Sequence, residues 1–172
     1  GRAELAAVCD QAQAENPASD WIALPGPTGE ANLYAVQPRD AVLCLVTGDG
    51  PAAEADRLSQ LAAVLAVGSQ AVWPAQAAAL RERLPAEVRE RITLADDWAR
   101  PGVAFDAVIQ HGPADALRAT AATLARRPGA IVTLTGLVPG DSRVPMERLV
   151  TERSLSLNTA AAGGNASLMT LA

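Results

Sequence analysis

Residues 2–13 form an alanine-rich amphipathic stretch in which Leu5, Ala6, Val8 and Cys9 fall on one face, which predicts a helix ending near Asn16-Pro17. A short apolar run at 21–24 then meets Pro25-Gly26-Pro27-Thr28-Gly29, whose backbone preferences suit a loop and exclude a helix or central strand. Residues 32–36 and 41–46 read as two strands separated by the turn residues Gln37-Pro38-Arg39-Asp40, the second strand apolar on both faces. Leu58, Leu61, Ala62, Leu65 and Ala66 recur at helical spacing through 54–67, and Gly68 is placed to end that helix. The alternation continues with a strand at 71–73, a helix at 75–84 and a strand at 91–94. After a loop around Trp98 and Pro101-Gly102 come a strand at 105–110, a helix at 113–126 opened by proline, and a strand at 130–135 closed by Gly136. Strands joined by crossover helices specify an α/β fold, a Rossmann-like parallel sheet with helices on both faces.

The last stretch has a different pattern. Residues 146–151 read as a helix with Arg148 four residues before Glu152, and no charge follows Arg153. Ser154-Leu155-Ser156-Leu157 alternates like a strand, Ala160 to Asn165 is small and flexible, and 167–172 is apolar again. An uncharged tail of this kind either folds back on its own sheet or docks on a partner surface. Three parts are expected: an N-terminal helix and linker at 1–20, the Rossmann-like domain at 21–153, and a docking motif at 154–172.

Composition narrows the function classes. The chain has 172 residues, 49% hydrophobic and 19% charged, the balance of a folded domain. Its longest uncharged stretch, 58–80, is interrupted by Gly68, Ser69, Gln70 and Pro74, so no transmembrane segment is expected. A net charge of −5 argues against nucleic acid or an anionic membrane as a partner of this domain. All 14 basic residues are arginine, which excludes mechanisms that need a lysine Schiff base or a phosphate-loop lysine. Cys9 and Cys44 lack the spacing of a zinc site or disulfide framework and read as reduced, cytoplasmic thiols. The chain opens on Gly1-Arg2 and carries no signal peptide, as expected of a piece excised from something longer.

Candidate chemistry is sparse. Gly48-Asp49-Gly50-Pro51-Ala52-Ala53 matches the glycine-rich dinucleotide fingerprint between a buried strand and a helix. The ribose-binding acid expected some 20 residues later is missing, because no Asp or Glu lies between Arg57 and Arg81. The plainer reading is a strand-to-helix turn followed by an acidic first helical turn. His111, the single histidine, ends a strand, where it serves more often as a hydrogen-bonding loop residue than as a base or metal ligand. Asp96-Asp97 and the glutamates at 81–91 read as solvated surface charge.

The tail carries a specific signal. Glu152-Arg153-Ser154-Leu155-Ser156-Leu157-Asn158-Thr159-Ala160-Ala161-Ala162-Gly163-Gly164-Asn165-Ala166-Ser167-Leu168-Met169-Thr170 closely resembles the C-terminal motif of the proline utilization A family. Leu24-Pro25-Gly26-Pro27-Thr28-Gly29-Glu30, the segment 61–70, and Phe105-Asp106-Ala107-Val108-Ile109 with His111-Gly112 agree with it. The resemblance implies a cytoplasmic bifunctional parent, free or peripheral to the inner membrane. In it an FAD-dependent proline dehydrogenase module feeds glutamate semialdehyde to an NAD-dependent aldehyde dehydrogenase module through an internal channel. It also implies that this chain is a C-terminal domain resembling the NAD-binding half of an aldehyde dehydrogenase.

That likeness also shows what has been lost. Trp73 stands before Pro74 where aldehyde dehydrogenases carry a ribose-binding lysine, Thr133 and Thr135 lie on the strand that bears their general-base glutamate, and no cysteine follows it. The resemblance therefore implies no catalytic, cofactor-binding or metal residue here. The expected role is to cover the aldehyde dehydrogenase module and close the channel. Contacts to the parent's modules are expected from Leu155, Leu157, Asn158, Gly163, Gly164, Asn165, Leu168 and Met169, with Gly163 and Gly164 allowing a turn. Two other readings stay open: a regulatory NAD or nucleotide site at 48–53, and an oligomerisation module dimerising through the tail.

Overall fold

The computed structural model describes residues 2–158, with side chains from residue 6 onward. Five strands, β3 (Ala41–Val46), β4 (Gln70–Pro74), β5 (Ile92–Ala95), β6 (Ala107–His111) and β7 (Thr133–Leu137), form a parallel sheet in the order β5-β4-β3-β6-β7. Strand β3 lies at its centre, and Val42, Leu43 and Cys44 are fully buried because both faces are covered. The pleat sends Val42 and Cys44 to one face, where they meet Trp73, Ile109 and Leu61 to Val64 of helix α2 (Gly50–Ala66). Leu43 and Leu45 point the other way, onto Val72, Phe105 and Val108, and helix α5 (Ala114–Leu124) closes that face through Leu124. Helix α1 (Arg2–Ala14) packs on α2 and contributes Ala12 to the first cluster. The α/β architecture with helices on both faces is as the hydrophobic pattern specifies.

A second sheet stands apart from the first. Strands β1 (Ser19–Leu24), β2 (Glu30–Pro38) and β8 (Val150–Asn158) pair antiparallel in the order β1-β2-β8. The two strands expected at 32–36 and 41–46 are present but belong to different sheets, β2 to the small one and β3 to the parallel one. The run at 21–24 is part of a strand, its edge bulged between Ser19 and Ile22.

Several boundaries differ from the sequence expectation for identifiable reasons. Residues 146–151 do not form a helix: a 3-10 turn, Met146–Arg148, gives way to β8, which pairs with β2 from Pro38↔Val150 to Glu30↔Asn158. Tertiary pairing overrides the local pattern, and β8 runs unbroken past residue 153. Residues 75–84 divide into a 3-10 turn (Ala75–Ala77) and the short α3 (Ala78–Arg81), with α4 (Ala86–Arg89) after Pro85. Helix α2 starts at Gly50, earlier than expected, since positive φ at Gly48 and Gly50 makes the turn and Pro51 fits the first helical turn. No acid then lies in its first turn. Gly136 does not close β7 but sits within it opposite Gln110, and its missing Cβ admits Leu117 of α5, whose Cδ1 would lie 2.6 Å from that carbon.

Trp73 is the largest fully buried side chain and binds β4 to β3 and α2. Trp73→Ala is expected to lower unfolding stability by about 3–5 kcal/mol, seen as a lower urea midpoint at unchanged slope.

Candidate functional site

In an open parallel sheet, ligands bind at the carboxyl ends of the strands where the strand order reverses, here between β3 and β6. That position is laced shut. Thr47 N donates to the His111 carbonyl at 2.9 Å and Gly112 N to the Leu137 carbonyl at 3.1 Å, extending both ladders past the strands. Gly112 is buried and its open face is filled by the Thr47 side chain, with which a Cβ would collide. A hollow of about 580 Å3 flanks the first turns of α2, between Val8, Ala52, Leu58 and Ser142, but it is lined by Asp56 and Glu54. Carboxylates there oppose the phosphate that a helix N-terminus would otherwise attract.

Trp73, Thr133 and Thr135, the positions matched to aldehyde dehydrogenase chemistry, make core and ladder contacts here. Trp73 is turned into the core, and the Arg57 guanidinium lies over it, 5.6 Å from the ring centroid, while donating to the Cys44 carbonyl at 3.0 Å. Burial pushes the Cys44 thiol up to about 12, with Arg57 and Trp73 opposing the rise, so it is a protonated core group and not a nucleophile. Thr133 and Thr135 pair with Ala107 and Ile109 as ordinary rungs of β7. His111 is fully buried between Gln60 and the Asp141 carbonyl. Asp97 caps Ala99 N and pairs with Arg100, and Glu82 pairs with Arg81 and Arg89, as expected of surface charge. Among the described residues no cluster of three or more His, Cys, Asp or Glu side chains is arranged to hold a metal ion.

The unusual surface is the small sheet. Trp21, Ile22 and Leu24 on β1 and Leu155 and Leu157 on β8 are each between 41% and 50% exposed. The register sets Leu33 against Leu155 and Ala31 against Leu157 on one face, while Ile22 and Leu24 share the other with Tyr34 and Asn32. Ser156 Oγ donates to Asn32 Oδ1 at 2.6 Å, and partial burial and then the Glu152 carboxylate raise the Tyr34 phenol above its usual range. Among the described residues, β1 and β8 each have one edge without a neighbouring strand. Of the expected contact residues, the structure brings Leu155, Leu157 and Asn158 together on β8, paired with the chain's own β2. Gly163, Gly164, Asn165, Leu168 and Met169 lie outside the described residues. Trp21 and Ile22 were not anticipated, and the signal for them was an apolar run followed by a loop too rigid to bury it.

Known proteins agree with the family signal in the tail. No family model matches the chain. Over 99% of its length it is 50% identical to the bifunctional protein PutA of Escherichia coli and 49% identical to that of Salmonella typhimurium; over 87% it is 38% identical to that of Rhizobium meliloti. The chain is homologous to a region of bifunctional PutA. It spans about 13% of the length of the curated Escherichia coli relative. Among solved structures, a Bradyrhizobium japonicum proline utilization A superposes at TM-score 0.54, with 21% identity over 78% of this chain and 15% of that one. A putative aldehyde dehydrogenase from Bacillus subtilis superposes at TM-score 0.57, with 15% identity over 80% of this chain and 33% of that one. These last two likenesses show the shared fold. No helix among the described residues is long and apolar enough to cross a membrane.

The two thiols should behave differently. A thiol reagent at neutral pH is expected to modify exposed Cys9 alone, with Cys44 reacting only after unfolding. Because the folded Cys44 pKa lies above the ordinary 9.0, its contribution to stability is complete below pH 9 and is lost as pH rises toward about 12. Urea midpoints measured across that window should fall less steeply for Cys44→Ala than for the parent sequence.

Proposed function

We propose that this chain is a non-catalytic structural domain of a bifunctional proline-oxidising enzyme. In this reading it covers the aldehyde dehydrogenase module and helps to close the internal channel for glutamate semialdehyde. The observation that carries the reading is the small sheet, whose two outer strands expose Trp21, Ile22 and Leu24 on β1 and Leu155 and Leu157 on β8. A surface of this kind is stabilised by burial against a partner, at about 25 cal/mol for each Å2 of apolar area removed from water. The open edge of β8, which ends at Asn158, offers main-chain donors and acceptors to an added strand. The other modules of the same polypeptide are the partners, and FAD and NAD are held there and not here.

The nucleotide reading gains no support from the acidic hollow beside α2 or from the laced switch point. Docking between two copies of this domain draws on the same apolar surface, and it is separated from the cover reading by what happens to the coupled reaction.

In the full-length protein, deleting residues 154–172 or introducing Leu155→Asp with Leu157→Asp is expected to leave proline dehydrogenation within about twofold of the parent. NADH formation from proline should then lag, with semialdehyde escaping to a trapping reagent in the medium. An unchanged coupled time course in both variants would refute the cover reading.

A further inference from the structure

Buried polar groups outside the apolar clusters converge at one place. His111 ends β6 with its ring fully buried, and two residues one turn apart on α2 reach it from the same side. Gln60 Nε2 lies 2.8 Å from His111 Nδ1, and Asp56 Oδ1 lies 4.0 Å from His111 Nε2. Asp56 is 5% exposed and Gln60 is not exposed at all.

The neighbours fix the tautomer of the ring. Nε2 is 2.8 Å from the Asp141 carbonyl, which only accepts, so Nε2 carries the hydrogen. The Gln60 amide nitrogen only donates, and it also gives a hydrogen to the Leu45 carbonyl at 2.8 Å, so Nδ1 accepts. Turning the amide over would set Gln60 Oε1 against the Leu45 carbonyl. The observed orientation leaves Oε1 buried without a partner, a cost borne because both amide hydrogens are in use. Hydrogen bonds thus link β3 through Gln60 and His111 to the loop after β7, with Gln60 donating to both of its neighbours. Beside it, Asp56 Oδ1 accepts the Gly140 amide at 2.9 Å.

Two adjacent backbone groups, the Gly140 N–H and the Asp141 carbonyl, are therefore gripped from inside by α2 and β6. They belong to an otherwise exposed turn, with Gly140 at φ +86°, whose further ties include Asp141 N to the Val138 carbonyl, Arg143 N to the Asp141 carboxylate and an exposed Arg143–Glu15 ion pair. This turn carries the chain out of the parallel sheet toward β8. We infer that Asp56, Gln60 and His111 form an internal latch on Gly140-Asp141, and that the latch fixes the path by which the chain leaves β7 to form the small sheet. The three are positioning residues. The latch stands on this geometry, and only its consequence for docking rests on the function proposed above.

Hydrogen–deuterium exchange on the full-length protein tests it, read on peptides covering 136–150 and, as internal references, on peptides of β3 and β4. In His111→Leu the amides of 138–145 should exchange about tenfold faster while the reference peptides hold their protection. His111→Gln returns an N–H to the place of Nε2 and should restore most of the protection, whereas His111→Asn reaches only the Nδ1 side and should not. Asp56→Ala, at the outer end of the network, should free the Gly140 amide directly, and it carries the test if the Leu variant fails to fold. Equal protection in all variants would overturn the latch, as would faster exchange spread evenly over the references with Gln and Asn alike. Exchange needs neither proline nor NAD, so its outcome is separate from that of the coupled assay.

Discussion

The small sheet, and its attachment to the core, depend on one long-range pairing, the antiparallel ladder that joins residues 30–38 of β2 to residues 150–158 of β8. Without β8, strands β1 and β2 would be an isolated two-stranded hairpin, which has marginal stability in water. The ladder is secured at its base by Arg39. Its backbone N–H donates to the Leu149 carbonyl and its guanidinium to the carbonyls of Arg148 and Asp106, while the Asp106 carboxylate accepts the amides of Asp40 and Ala41. One arginine and one aspartate thus join the end of β2, the start of β3, the entry to β6 and the turn before β8. Closing so long a loop slows folding more than it destabilises the product, because closure entropy grows only logarithmically with length.

Much of the parallel sheet was legible because its signal is local. A strand buried on both faces reads as a continuous apolar run, and α2 shows helical periodicity along most of its length. The small sheet was not legible as a sheet, since nothing within 21–24, 30–38 or 150–158 names its partner. The segment 146–151 carries a plausible helical pattern and is drawn into a strand by a ladder whose other half lies near the start of the chain. Gly136 reads as punctuation in one dimension, and only the approach of Leu117 from α5 gives it a different purpose. At the candidate site, Leu155 and Leu157 were legible from alternation. Asp56 and Gln60 were not, because a polar residue on a helix gives no sign in sequence of facing a buried histidine.

The filled strand ends and the intact fold have a common physical basis. The fold is held by β3 and its neighbours, whereas ligand chemistry in such sheets belongs to the strand ends. At those ends this chain carries groups that serve packing. Trp73 is buried under Arg57 and Thr47 fills the space beside Gly112, while Cys44, within β3, is a buried core thiol. Each adds contact area to the core. A domain whose crevice is filled in this way retains a rigid scaffold on which a surface can be displayed.

The small sheet has the character of such a surface. A sheet with one face in water ordinarily confines its apolar residues to the other face. Here Leu155 and Leu157 project from one face and Ile22 and Leu24 from the other, the latter alongside the Asn32–Ser156 and Tyr34–Glu152 contacts. A flat partner could shield only one of these sets, whereas a groove that receives the sheet would shield both and could also pair with the free edge of β8. The two-sided distribution of apolar residues therefore favours insertion over simple apposition, and insertion makes exacting demands on where the sheet stands. A turn held to the core by Asp56 and His111 is well suited to meet those demands.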